Sequence, residues 1–352
     1  MKTTEKNSVA LIFGGRGYEH DVSVRGAEYV FPLIESSKYR KIPIYIKRDG
    51  TWVTTALRDI EVCPRALIDE AIPTEECSPA YKNSLSGIMT DSAFIPIYAA
   101  FPLLHGDFGE DGIVQGALEN AKIPYVGCNT AASANSRDKG YVKLVARHLN
   151  IPTADWIYVI SRFTEDDKEK AERVLGYPMF VKPARLGSSI GASVAKNRDE
   201  LEVAVESAMR FGSGRVIIEE YIDLEKELEC GYFSTKSKEL FTEVGEISYG
   251  GGFYDYETKY LSQEATAKSR ASITSGETVE IQDYASRLAR FLGLSGLSRI
   301  DFFRSNDGKI YFNEINTMPG FTESSLYPRL MSDAGISPRE LVSLLIDDAV
   351  RA

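Results

Sequence analysis

The stretch Gly296–Phe321, GLSRIDFFRSNDGKIYFNEINTMPGF, decides how this chain folds. Its two halves read as strands carrying Ile300, Phe302, Ile310 and Phe312, and Asn306-Asp307-Gly308 between them is a hairpin turn signal. Strand side chains alternate faces. Arg299 and Asp301 therefore share one face of the first strand, and Glu314 and Asn316 share one face of the second. Antiparallel pairing can bring Asp301 close to Glu314 and Asn316. Two carboxylates and an amide oxygen suit a hard cation such as magnesium, with phosphate oxygens and water completing the octahedron. Arg299 beside them can hold a developing oxyanion or phosphoryl charge. The alternative is a solvated sheet face with routine ion pairs. The apolar side of both strands weighs against it, as does the Thr317–Phe321 turn, where Gly320 permits close backbone approach to a ligand.

Composition frames what such a hairpin can serve. The 352 residues are 43% hydrophobic and 26% charged, ordinary values for a globular protein, and the length allows roughly two to three domains. The net charge of −10 argues against nucleic-acid and anionic-membrane surfaces. No apolar run approaches the roughly 20 residues of a membrane span, and the polar start lacks the pattern of a signal peptide. Cys63, Cys77, Cys128 and Cys230 show no zinc spacing and read as free thiols of a cytoplasmic protein. With His20, His105 and His148 scattered, any metal would need oxygen ligands, which points to magnesium or manganese.

Upstream, strands at 8–13, 42–47, 93–100 and 124–126 and helices at 20–34 and 111–121 predict a parallel βαβ sheet. The stretch 54–92 stays unassigned. A second unit begins near Ala132, with helices at 138–149, 164–175 and 198–211 and strands at 155–159, 178–182, 192–195 and 215–221. The third carries strands at 227–234, 239–247, 296–304 and 309–316, a helix at 276–292 and two closing helices. The glycine- and tyrosine-rich loop 248–271 reads as either a mobile lid or an exposed hairpin.

Phe180-Val181-Lys182 puts a lysine on a strand, and Gly187-Ser188-Ser189-Ile190-Gly191 follows. The loop's N–H groups and hydroxyls can wrap phosphate oxygens, although no GxxxxGK[ST] P-loop exists anywhere in the chain. In Val216–Ile222, VIIEEYI, Glu219 and Glu220 are either solvated strand-end charges or acceptors for an adenine amino group and a ribose hydroxyl. Glu227 is a second ribose candidate. The opening Gly14-Gly15-Arg16-Gly17-Tyr18-Glu19-His20 invites a dinucleotide reading. A GxGxxG fingerprint needs glycine where His20 stands, so an NAD-dependent oxidoreductase is a remote alternative.

Taken in order, LIFGGRGYEHDVS (11–23), LLHGDFGEDGIVQGALE (103–119), IPYVG (123–127), DKGYVK (138–143), FVKPARLGSSIG (180–191), FYDYETKY (253–260), SRIDFF (298–303) and NEINTMPGFTESSLYP (313–328) resemble the D-alanine–D-alanine ligase family of the ATP-grasp superfamily. The resemblance implies an α/β chain, α+β in its C-terminal half. An N-terminal parallel βαβ substrate domain would cover 1–131. A small central nucleotide-binding subdomain would cover 132–219, and a larger C-terminal subdomain with metal site and lid 220–352. It implies ATP-dependent joining of two D-alanines through an acyl phosphate, for peptidoglycan precursor synthesis, by a cytoplasmic homodimer.

By the same resemblance Lys143 and Lys182 hold ATP phosphates under the Ser188-Ser189 loop. Glu219, the Glu220-Tyr221-Ile222 backbone and Glu227 surround the adenosine. Asp301, Glu314 and Asn316 bind two magnesium ions, manganese being a possible substitute, with Glu314 bridging. Ser188 ties Glu19 to Tyr260, and Glu19 anchors the first substrate's ammonium. His105 lies near that substrate. Arg299 and the Gly320 N–H form the oxyanion site. Ser325 and Leu326 meet the second substrate's carboxylate and side chain. Lys259-Tyr260, together with Leu326 where D-serine-using relatives often carry arginine, favours D-alanine as second substrate. D-serine or D-lactate, as in vancomycin-resistance ligases, is the alternative. The chain departs from the family in Asp21, where glutamate is common, and in Arg185-Leu186.

Overall fold

A computed structural model describes residues 6–57, 61–211, 214–248 and 266–350, so Lys259, Tyr260 and most of the loop 248–271 lie outside the described residues. Three sheets organise the chain. The first contains strands β1 (Asn7–Gly14), β2 (Tyr39–Ile46), β3 (Trp52–Thr55), β4 (Thr74–Lys82), β5 (Leu85–Thr90), β6 (Phe94–Pro96) and β7 (Ala99–Pro102) in the order β6-β5-β4-β3-β2-β1-β7. Only β1 pairs in parallel, with β2 and β7; all other pairs are antiparallel.

The expected parallel βαβ pairing is present in β2-β1-β7, and antiparallel strands extend it into a mixed sheet for local reasons. The turn from β2 into β3 is closed by Lys47 N–H donating to Thr51 O and Gly50 N–H donating to Lys47 O. It is far too short for a crossover, so the strands must run antiparallel. β4 and β5 meet at Asn83-Ser84, both at positive φ (51° and 64°), as a two-residue hairpin demands. The expected strand 93–100 divides because the chain changes partners: Ile97 N–H donates to Ser86 O, and Tyr98 N–H to Ser8 O. The expected strand at 124–126 is a single bridge between Tyr125 and Ala100.

Both faces of the parallel part are covered, as such strands require. Val9, Leu11 and Phe13 pack on helix α1 (His20–Val30) and on the chain's last helix. Ala10 and Ile12 pack on Val114 and Leu118 of a helix at Ile113–Asn120 (α3). The short helix Pro64–Ile68 (α2) fills part of the region left unassigned.

A helix at Thr130–Arg137 (α4), absent from the sequence reading, leads through Asp138 into α5 (Lys139–His148); Asp138 caps α5 by accepting from the Gly140 and Tyr141 N–H groups. The second sheet is antiparallel, in the order β10-β9-β11-β8, from β8 (Trp156–Ile160), β9 (Met179–Pro183), β10 (Ser193–Ala195) and β11 (Arg215–Glu220). Met179, Val181, Val216 and Ile218 pack on Ala171 of α6 (Glu165–Val174) and on Leu201 and Val205 of α7 (Arg198–Phe211). The period of two then sends Phe180, Lys182 and Glu219 to the opposite face.

The third sheet runs β14-β13-β12-β15-β16, with β12 (Leu224–Thr235), β13 (Lys238–Ser248), β14 (Thr266–Lys268), β15 (Gly296–Ser305) and β16 (Ile310–Asn316). Leu228, Cys230, Ile300, Phe302 and Phe312 pack on α8 (Ser275–Leu292) and α5. The helices α9 (Leu326–Asp333) and α10 (Pro338–Ala349) close the chain, and α10 buries Leu341, Val342, Leu345 and Ile346 in the core shared with β1 and β7.

Candidate functional site

The quoted hairpin is β15–β16, and its register sets Asp301 opposite Glu314 and Arg299 opposite Asn316. A bulge makes this possible. Phe302 pairs with Phe312 and Asp301 with Glu314, which leaves Asn313 as the extra residue. Without it Glu314 would share the buried face of Phe312; the inserted residue turns Glu314 and Asn316 to the open face beside Asp301. Arg299 grips Asp301 with two parallel hydrogen bonds, Nε to Oδ1 at 2.8 Å and Nη2 to Oδ2 at 2.7 Å, and pairs with Glu229 at 3.2 Å. Asn316 donates Nδ2–H to Asp301 Oδ2 at 2.9 Å, leaving its amide oxygen as an acceptor.

Two cavities open on this face. One, of 330 Å³, lies between the second and third sheets and is lined by Lys139, Phe180, Lys182, Tyr221, Ile222 and Asn313, among others. The other, of 520 Å³, is bounded by Glu19, His105, Arg299, Asp301, Gly320 and Leu326, among others. Gly187, Ser188, Glu227, Phe303, Asn313 and Glu314 line both, so the cavities meet at the carboxylate face.

In the smaller cavity Glu219 lies between two ammonium groups, 2.8 Å from Lys143 and 2.8 Å from Lys182. Burial alone would raise its carboxyl, but the two lysines outweigh that and bring it down to about 2. Lys182 also donates to Asn313 Oδ1 at 3.3 Å. Lys143 is 1% exposed, donates to Thr153 Oγ1, and is not among the residues that line the cleft. The lysine that does reach it from α5 is Lys139, one turn earlier, paired with Glu314 at 3.0 Å and donating to Leu186 O at 2.7 Å. Its position directly after a capping aspartate was the available signal. Glu220 accepts from the Asp155 N–H through its side chain, while Tyr221, Ile222 and Glu227 line the cleft.

In the larger cavity Glu19 stands at the N-cap of α1 but makes no capping bond; its carboxylate accepts from the Ser188 hydroxyl instead. Ser188 and Ser189 hold φ of 57° and 56°, left-handed values that non-glycine residues seldom adopt and that concentrate at functional loops. His105 shares a hydrogen bond between Nδ1 and Met318 O at 2.9 Å, and its Nε2 has no partner among the described residues. Burial pushes this histidine down, which favours the neutral ring. That tautomer donates from Nδ1 and leaves Nε2 as an acceptor. Ser325 caps the turn before α9, accepting from the Thr322 N–H at 2.9 Å, next to Gly320 and Leu326. Glu110 and Arg137, unforeseen from the sequence, also line this cavity. Burial pushes Glu110 up to about 8 against the pull of Arg137.

The glycine-rich opening is not arranged for a dinucleotide. His20, in the place of a third glycine, is buried against Gly15 O and the Tyr45 hydroxyl. No group of three or more histidine, cysteine or acidic side chains is assembled for a metal among the described residues. Asp301, Glu314 and Asn316 nonetheless fit a hard cation: Glu314 lines both cavities, and Asp301, paired opposite it, and Asn316 offer oxygen beside it in the larger one. No helix among the described residues is long and apolar enough to cross a membrane.

Two facing sheets that enclose a lysine-lined cleft, with a carboxylate face at its end, define an ATP-grasp protein, the fold that the solved structural relatives carry. Family models described as D-ala D-ala ligase N-terminus and C-terminus match residues 8–128 and 145–347. The chain belongs to the D-alanine–D-alanine ligase family. It is 37% identical to the D-alanine–D-alanine ligase of Acetivibrio thermocellus, over 99% of this chain and 96% of that one. It is 38% identical to that of Ruminiclostridium cellulolyticum, over 97% and 95%. Among solved structures, the VanG D-Ala:D-Ser ligase from Enterococcus faecalis superposes with a TM-score of 0.88 at 33% identity, covering 98% of this chain and 100% of that one. The D-alanine–D-alanine ligase from Coxiella burnetii superposes with a TM-score of 0.85 at 28% identity, covering 99% and 95%.

Proposed function

We propose that this protein joins two D-alanines into D-alanyl-D-alanine at the expense of ATP, for peptidoglycan precursor synthesis. The observation that carries the reading is the meeting of two differently lined cavities at the Asp301–Glu314–Asn316 face. The smaller takes the nucleotide, with Lys139 and Lys182 toward its phosphates and Tyr221, Ile222 and Glu227 toward its adenosine. The larger takes the amino acids. Asp301, Glu314 and Asn316 hold two magnesium ions, with manganese as a substitute, and such ions neutralise phosphate charge.

Carboxylates are poor acyl donors. The first D-alanine's carboxylate oxygen attacks the γ-phosphorus, ADP leaves, and an acyl phosphate forms. The neutral amine of the second D-alanine then attacks the acyl carbon, phosphate departs with the C–O bond pair, and the amine gives up a proton. Glu19 holds the first ammonium and Ser188 keeps Glu19 in place. Arg299, already fixed by Asp301 and Glu229, and the Gly320 N–H face the oxyanion. Ser325 and Leu326 receive the second substrate. The Gly187–Gly191 loop, which lines both cavities, excludes water, which would hydrolyse the acyl phosphate.

D-Serine as second substrate is the competing reading, supported by the similarity to a D-Ala:D-Ser ligase; Leu326 on the cavity wall speaks for an apolar side chain. Supplying ATP and D-alanine with or without D-serine or D-lactate, and weighing products by mass spectrometry, decides it. D-Alanyl-D-alanine is expected to predominate at neutral pH, and a predominant mixed dipeptide or depsipeptide would replace this assignment. A cytoplasmic homodimer belongs to the same proposal, checked by fractionation and sedimentation.

A further inference from the structure

Arg137 is the last residue of α4 and is only 9% exposed, yet it lines the larger cavity. Its guanidinium reaches Glu110 at 3.1 Å and Asp107 at 3.3 Å, on the loop that also carries His105. The same group abuts the opposite wall. A methyl carbon built on Gly187 would stand 3.4 Å from Arg137 Nη1 and 3.8 Å from Glu19 Oε2. One built on Gly106 would stand 2.2 Å from Glu19 Oε2 and 3.7 Å from Arg137 Nη2. Two glycines on two loops thus leave room for one guanidinium and one carboxylate to lie close together. Arg137 Nε has no hydrogen-bond partner among the described residues.

We propose that Arg137 is a positioning residue for the first-substrate subsite: it clamps the His105–Glu110 loop against the Gly187-Ser188 turn and so fixes Glu19 for the substrate ammonium. This rests on the ligase reading given above. Asp107 and Glu110 occupy the hydrogen-bonding edge of the guanidinium, so Arg137 braces Glu19 through charge and packing and leaves its carboxylate to Ser188 and the substrate. A lysine would keep the charge but not the planar fork that spans two acids.

The test separates first-substrate capture from ligation by using hydroxylamine as acceptor. Its nitrogen attacks the acyl phosphate, phosphate leaves, a proton is released, and a hydroxamate forms that can be read by colour. Wild-type hydroxamate formation requiring both D-alanine and ATP tests the underlying reading, and its absence would remove that reading whatever Arg137 does. Given wild-type activity, Arg137→Met should raise the half-saturating D-alanine concentration at least about tenfold, with kcat and the KM for ATP changed less than about threefold. Arg137→Lys should recover part of that loss, and it carries the test if Arg137→Met does not fold. An unchanged half-saturation in either folded variant would overturn the proposal. So would equal kcat losses in both variants with affinity for D-alanine intact.

Discussion

Glu219 and Glu110 are both buried glutamates, and their surroundings push them opposite ways. Glu219, between Lys143 and Lys182, falls from an ordinary 4.5 to about 2. Its ionised form is favoured by folding, so its stabilisation is complete above 4.5 and fades as pH drops toward 2. The urea midpoint of Glu219→Gln should therefore lie furthest below wild type near neutrality and converge with it in acid. Glu110, dominated by burial, rises from 4.5 to about 8. Folding favours its protonated form, so its contribution is complete below 4.5 and is lost as pH climbs to 8. Glu110→Gln should gain on wild type across that window, and a constant difference would contradict the assignment. For Glu314, replacement by Gln removes a metal ligand in the proposed reaction and leaves Lys139 without its ion pair. Product formation should fall by roughly a hundredfold or more, while circular dichroism stays native; near-normal turnover would take Glu314 out of the metal site.

At the scale of elements, the β15–β16 hairpin rests on one inserted residue. Deleting Asn313 should move Glu314 and Asn316 to the face of Phe312, because a one-residue slip inverts every later side chain. The expected outcome is loss of activity together with a lowered Tm, from burying a carboxylate where Ile315 now packs. The hairpin itself was legible, since its turn and its apolar alternation are local signals. The bulge was not: the strict period of two puts Phe312 and Glu314 on one face, and only pairing with Asp301 and Phe302 exposes the offset. The same limit explains the first sheet. Asn83-Ser84 adopts the left-handed pair of a tight hairpin without the usual glycine, so β4 and β5 went unassigned. Lys182 was placed by its strand, whereas the α5 lysine at the cleft is Lys139, one turn from Lys143, because depth within a helix face is set by packing rather than spacing.

Across the whole molecule, the two ends of the chain share one core. Leu341 and Leu345 of α10 pack with Val9, Leu11, Phe101 and Leu297, tying the first sheet to the third. Leu345→Ala should cost about 2–5 kcal/mol and should loosen hydrogen exchange in β1 and β15 together. Protection lost in one sheet alone would mean that the two are not mechanically joined. The joining matters for the site, since Glu19 and His105 hang from the first sheet and Asp301 and Arg299 from the third.

The Glu219 clamp has a kinetic consequence. Lys143 and Lys182 already share a counter-ion, and Lys139 and Arg299 have theirs, so the cleft offers little uncompensated positive field to an arriving polyphosphate. At a distance the ligand meets a chain of net charge −10. At low ionic strength, where the screening length grows to ~30 Å at 0.01 M, that net negative charge repels the ligand at long range, and by 0.1 M salt, with a length of ~10 Å, the repulsion is largely screened. Nucleotide capture should then quicken, not slow, as ionic strength rises from low values, the reverse of a steered encounter. Stopped-flow association rates against salt would show it. In the proposed reaction Lys139 and Lys182 meet phosphate only at contact, where it replaces their acidic partners.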